Sequence, residues 1–158
     1  MTLQATPQPA SMRASSFTAR DFRLQSGVVM PEITIAYRTL GQLAPARDNV
    51  VLVTHGNTSG PQMIDPGGST GEGSWNALVG PGRAVDTSRF FAICPNMLGS
   101  SYGSTNAESI DPKTGTRYGS RFPDITGRDM VASSVLVGRA LDWPSVRPSS
   151  RHMAVLSG

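Results

Sequence analysis

Cysteine and lysine are nearly missing from this chain, with one of each, Cys94 and Lys113, in 158 residues. A single thiol excludes an internal disulfide framework and a cysteine-rich zinc site, and no metal site is expected. The lone lysine sits in Asp111-Pro-Lys-Thr-Gly115, a turn composition, and no Gly-Lys-Ser/Thr occurs, which removes the phosphate-binding loop of the nucleotide hydrolases. Long apolar runs are missing too. None approaches the ~20 residues of a membrane span, and the amino terminus lacks the apolar core of a signal peptide, so no membrane association is expected and a soluble, cytoplasmic protein is. Positive charge is present but not concentrated: the net charge is +3, and arginines such as Arg38, Arg83, Arg117 and Arg139 form no block. Without a basic face or interleaved aromatics, no nucleic-acid partner is expected. An apolar fraction of 38%, 17 glycines and 12 prolines imply much loop, and the length has room for one domain with a single core.

What is there centres on Val50 to Gly60, Val-Val-Leu-Val-Thr-His-Gly-Asn-Thr-Ser-Gly. A continuous Val/Leu run bounded by turn residues suits a strand covered on both faces, as in a parallel sheet. Gly56 then lets the backbone turn at the carboxyl edge, where open α/β sheets keep their ligands. A strand that ends in His-Gly also begins the oxyanion hole of many α/β-hydrolases. The alternative is a tight turn after a core strand, with His55 bonded to nearby backbone.

On either side, residues 1–16 are polar, aperiodic and expected to be a disordered lead-in. Asp21 to Leu24 and Glu32 to Leu40 read as two antiparallel strands around Ser26-Gly27, the second closed by Gly41. Ser74 is placed to cap a short helix through Val79, stopped by Gly80-Pro81, with Trp75 packed beneath it or standing beside a ligand. Gly80-Pro-Gly-Arg-Ala-Val85 lacks the third glycine and the preceding strand of a dinucleotide site. Arg89 to Cys94 reads as a buried strand, with Cys94 a structural thiol, since a nucleophilic one needs an exposed, electropositive setting. Asn96 to Pro123 is a long loop with almost no apolar periodicity, and such loops tend to be functional. Thr126-Gly-Arg-Asp129 has capping-box spacing ahead of a helical apolar face over Met130 to Trp143, ended by Pro144. His152 to Gly158 starts another strand. The order β, β, β, α, β, α, β is a doubly wound start.

Ordered matches carry a resemblance. They include Ala36-Tyr-Arg-Thr-Leu-Gly41, Val51 to Gly56, Leu78-Val-Gly-Pro-Gly82, Arg89-Phe-Phe91, Cys94-Pro-Asn96, Tyr102-Gly-Ser-Thr105, Asp111-Pro-Lys-Thr-Gly115, Tyr118-Gly-Ser120 and Arg128-Asp-Met130. On these, the chain resembles the homoserine O-acyltransferase (homoserine O-acetyltransferase) family, α/β-hydrolase-fold enzymes on the route to methionine. The resemblance implies the amino-terminal part of that fold, a mostly parallel sheet of order 1-2-4-3-5. It makes residues 17–158 an incomplete domain ending at the start of the nucleophile elbow.

In that fold the nucleophile follows the fifth strand on a G-x-S-x-G elbow, and Ala154-Val-Leu-Ser-Gly158 looks like that strand. The nucleophile is therefore expected just after Gly158. Ser157 has Val155 two places before it instead of glycine, His55 precedes the loop, and His152 opens its strand at the wrong end, so no catalytic residue is assigned and the chain alone is expected to be inactive. Asn57 is expected to supply one oxyanion donor through its backbone N–H, with His55 and Gly56 supporting the loop. By resemblance, the co-substrate is acyl-CoA, the acceptor homoserine or a similar hydroxyl compound, no cofactor stays bound, and the full-length family can form homodimers. Family members usually carry His-Ala-Leu-Thr where this chain has His55-Gly-Asn-Thr58, and His-Gly is commoner among hydrolase-like relatives. An esterase using water and a non-catalytic truncated protein remain the alternatives.

Overall fold

The computed structural model describes residues 12–56, 58–68, 73–141 and 154–157, the last four by their backbone. In chain order the elements are β1 (Arg13–Arg23), β2 (Val29–Leu40), β3 (Val50–Thr54), a 3₁₀ turn at Pro61–Ile64, β4 (Val79–Gly80), β5 (Val85–Asp86), β6 (Phe91–Pro95), β7 (Ile110–Asp111), β8 (Thr116–Arg117), a 3₁₀ turn at Gly119–Arg121, α1 (Gly127–Ala140) and β9 (Ala154–Ser157). Five strands form one sheet in the order β1-β2-β6-β3-β9. With the two-residue strands set aside, this is the expected 1-2-4-3-5.

β3 pairs in parallel with β6, Val51 opposite Ala92, and with β9, Val51 opposite Ala154 and Thr54 opposite Ser157. The Val/Leu run forms a strand here because both its faces are covered: Val50, Val51 and Val53 are all buried. β1 and β2 are neighbours joined by a turn in which the Leu24 N–H donates to Val28 O at 2.8 Å. A link that short joins only antiparallel strands.

Three expectations need correction. β1 begins at Arg13, so residues 13–16 are strand and not lead-in. Most of β1 is exposed, and strand pairing rather than an apolar stripe holds it, which composition does not signal. Ser74 to Val79 is not a helix. The Ser74 hydroxyl accepts from the Asn76 N–H at 3.1 Å, the Leu78 and Val79 N–H groups both donate to Trp75 O, and the chain enters β4, which pairs in parallel with β5. Gly80-Pro-Gly82 ends any helix before one full turn is secured. Lastly, the buried face of α1 is Asp129, Ser133, Val137 and Gly138, while Val131 and Val135 are exposed, so its inner face is small and polar rather than apolar.

The chain divides into two compact units, residues 1–13, 38–94 and 149–158, and residues 14–37 and 95–148. The first contains an apolar cluster of Leu40, Val51, Val53, Met63, Ile64, Val79, Val85, Ala92 and Cys94, with Trp75 and Phe90 packed against it. Trp75 thus takes the packing role. Gly41 is fixed by geometry: its φ is +90°, and a Cβ there would run into the carbonyl oxygens of Phe90 and Thr87.

In the second unit the long loop is far from structureless. The Ser104 and Thr105 hydroxyls accept from the β2 amides of Ala36 and Thr34 at 3.1 and 2.7 Å, and the Thr105 and Asn96 N–H groups donate to Thr34 O and Ala36 O. Side-chain oxygens thereby stand in for part of a strand ladder. β7 and β8 form an antiparallel hairpin closed by the expected turn, where the Asp111 carboxylate accepts from the Lys113 N–H at 2.9 Å.

Candidate functional site

The Thr54–Ser157 pairing sets the carboxyl ends of β3 and β9 side by side at one sheet edge. After β3 the chain passes through His55 and Gly56 into the Pro61–Ile64 turn. His55 is 4% exposed. Its Nδ1 lies 2.9 Å from Gly56 O, and since a carbonyl only accepts, Nδ1 is the donor. Nε2 is buried with no partner among the described residues. His55 is thus bonded to the backbone of the turn it opens.

The segment is folded onto itself. The Ser59 N–H donates to Gly56 O at 3.2 Å, the Met63 N–H to Gly60 O at 3.1 Å, and the Trp75 N–H to Met63 O at 3.0 Å. Met63 and Ile64 enter the apolar cluster, and the buried Ser59 hydroxyl reaches the Met63 sulfur at 3.5 Å. The Pro61-Gln-Met-Ile64 anchor was absent from the sequence reading, although an apolar pair two residues after a proline inside a polar loop is a usable signal. Asn57, the expected oxyanion donor, lies outside the described residues, as do His152 and Gly158.

Cys94 is fully buried, and burial, with the Asp65 carboxylate adding to it, pushes its thiol up to about 12. It is a structural thiol, and a thiol reagent at neutral pH should label it only on unfolding. Among the described residues no group of three or more His, Cys, Asp or Glu side chains is placed to hold a metal ion.

One literal G-x-S-x-G, Gly99-Ser-Ser101-Tyr-Gly103, escaped the sequence reading. In a nucleophile elbow the serine itself occupies the strained turn between strand and helix. Here the positive φ of 65° belongs to Tyr102, and the next element is β7, not a helix. The Ser101 carbonyl is held by the Asn96 side-chain amide. This serine therefore lacks the strand–elbow–helix setting of the fold's nucleophile.

No family model matches the chain. It is similar to the homoserine O-acetyltransferase of Geobacter metallireducens, 47% identical over 119 residues that cover 74% of this chain and 32% of that protein. Among solved structures, esterase E22 matches with a TM-score of 0.73 at 28% identity, covering 84% of this chain and 38% of the esterase. The homoserine O-acetyltransferase of Bacillus anthracis matches with a TM-score of 0.72 at 26% identity, covering 83% and 37%. The chain spans about a third of the length of the curated relatives it matches. With the sheet order, the His55-Gly56 turn and this identity together, the chain belongs to the homoserine O-acetyltransferase family and has the fold of the α/β-hydrolases.

Proposed function

We propose that these residues form the oxyanion-loop portion of a soluble, cytoplasmic serine-dependent O-acyltransferase on the route to methionine. The serine takes an acyl group from acyl-CoA, and the hydroxyl of homoserine or a similar acceptor removes it. The backbone N–H of Asn57 supplies one oxyanion donor, with His55 and Gly56 supporting it. The observation that carries this reading is the register of β3 and β9, which sets the His55-Gly56 turn at the same sheet edge as the end of the strand after which this fold places its nucleophile.

The test is CoA release from acyl-CoA by a protein of the relatives' full length that carries these residues, with and without homoserine. Release that depends on homoserine supports acyl transfer. Asn57→Pro, which deletes the N–H, should lower kcat by about 10²–10³, whereas Asn57→Ala keeps the donor and most of the rate. Full activity in Asn57→Pro would remove the oxyanion role. The likeness to esterase E22 and the His-Gly dipeptide favour a second reading, transfer to water. Equal release with and without homoserine would select it.

A further inference from the structure

We infer that Arg38 and Asp65 are a positioning pair that fixes the segment leaving β3; this rests on reading that segment as the oxyanion loop. Arg38, near the end of β2, donates from Nε to Asp65 Oδ2 at 3.1 Å. The two side chains are 30% and 16% exposed, so the pair is mostly desolvated. Asp65 closes the Pro61–Ile64 turn: its N–H donates to Gln62 O at 3.0 Å, and its own carbonyl accepts from the Gly68 N–H at 2.8 Å. Its Oδ1 is buried without a partner among the described residues, so Arg38 supplies the carboxylate's compensation there.

A carboxylate taken out of water stays there only while it is paired. If the guanidinium is removed, Asp65 gains by swinging into solvent, and the backbone on either side of it must follow. That movement reaches Gly56 through the short turns already described, Gly60 O to the Met63 N–H and Gly56 O to the Ser59 N–H. Met63 and Ile64 remain buried in the cluster, so the consequence is local opening and not unfolding. A donor displaced by about 1 Å loses much of its effect on a developing charge, which makes the pair a means of holding the loop at working height.

The experiment is amide hydrogen exchange on the 158-residue chain and on its Arg38→Met and Arg38→Lys variants, followed separately in residues 58–65 and in β3 and β6. Arg38→Met should speed exchange in 58–65 on the order of tenfold while β3 and β6 stay protected. Arg38→Lys, which restores the charge, should recover most of the protection. Unchanged exchange in Arg38→Met overturns the inference, and so does Arg38→Lys behaving like Arg38→Met. Loss of protection in β3 and β6 together with the loop also overturns it, since the pair would then serve the whole fold. The acyl-transfer reading fails in a different assay, CoA release, so the two failures are distinguishable.

Discussion

Residues 55–65 and residues 96–109 both follow a buried strand and both are rich in small polar residues, yet different forces hold them. The first segment is anchored by apolar side chains, Met63 and Ile64, and by one mostly buried ion pair. The second buries Leu98 and is tied by backbone bonds to β2 together with a set of side-chain hydrogen bonds. The Asn96 amide donates to Ser101 O, the Asn106 amide to Ser100 O and Ser104 O, and two hydroxyls accept from β2. An apolar anchor fixes depth and leaves the neighbouring backbone free to turn. A polar network fixes each carbonyl in turn and makes a rigid loop with almost no core of its own.

The sharpest way to break this contrast is to remove each segment's own anchor. Ile64 is fully buried, so Ile64→Ala should cost about 2–5 kcal/mol by urea unfolding, through lost transfer energy and the cavity left behind. A loss under about 1 kcal/mol would mean that the turn collapses freely and that the apolar anchor is not the main one. In the second segment, Asn96 is fully buried and its amide holds Ser101 O. Asn96→Ala should cost about 0.5–1.5 kcal/mol by the same measurement, because the Ser101 carbonyl loses its donor. Should Asn96→Ala prove harmless while Leu98→Ala is severe, the second segment is apolar-anchored after all and the contrast fails.

The same contrast governs what the sequence could reveal. Val50 to Val53 announced a two-sided strand because a continuous apolar run has few other uses, and Thr126 to Asp129 announced a helix start because capping chemistry is local. Trp75 and Cys94 were legible as packed residues for the same reason. The hydrogen-bonded loop was not legible. Ser104 and Thr105 bond to residues some 70 positions earlier, and nothing in their spacing distinguishes a hydroxyl that replaces a strand ladder from one facing water. The short strand β4 was misread as helix because Ser74 caps a turn as readily as a helix. Of the candidate site, the strand-to-loop transition at Gly56 was visible, whereas the Arg38–Asp65 pair joins residues on separate elements and needed the fold.

Downstream of the second segment, α1 tests whether polar anchoring extends into regular structure. The Thr126 hydroxyl accepts from the Asp129 N–H at 3.3 Å, and the Asp129 carboxylate accepts from the Thr126 N–H at 2.9 Å, a complete capping box. Thr126→Ala should lower stability by about 1 kcal/mol, and Thr126→Ser should restore it. A helix indifferent to Thr126→Ala would owe its start to packing alone.

The smallest effect is one of pH. Asp129 also accepts from the Gln25 N–H at 2.7 Å, 104 residues earlier in the chain. Burial alone would raise its pKa, but the bonds from the Thr126 hydroxyl and N–H and from the Gln25 N–H outweigh burial and hold the carboxyl below its ordinary 3.8. In the unfolded chain those bonds are gone and the carboxyl returns to its ordinary value. The folded state therefore binds the proton less readily, and the stability the carboxylate contributes is complete above the ordinary value and lost as pH falls through the lowered one. Thermal unfolding followed downward from neutral pH should show the wild type losing ground to Asp129→Asn only below the ordinary carboxylate range, and the two curves should run parallel above it. The amide in Asp129→Asn keeps a single acceptor oxygen for bonds from two backbone N–H groups, so the variant starts less stable and has less to lose. If the two proteins stayed parallel through the acid range, the carboxylate's charge would add nothing to the capping geometry, and hydrogen bonding without charge would suffice for this anchor as it does for Asn96 and Asn106.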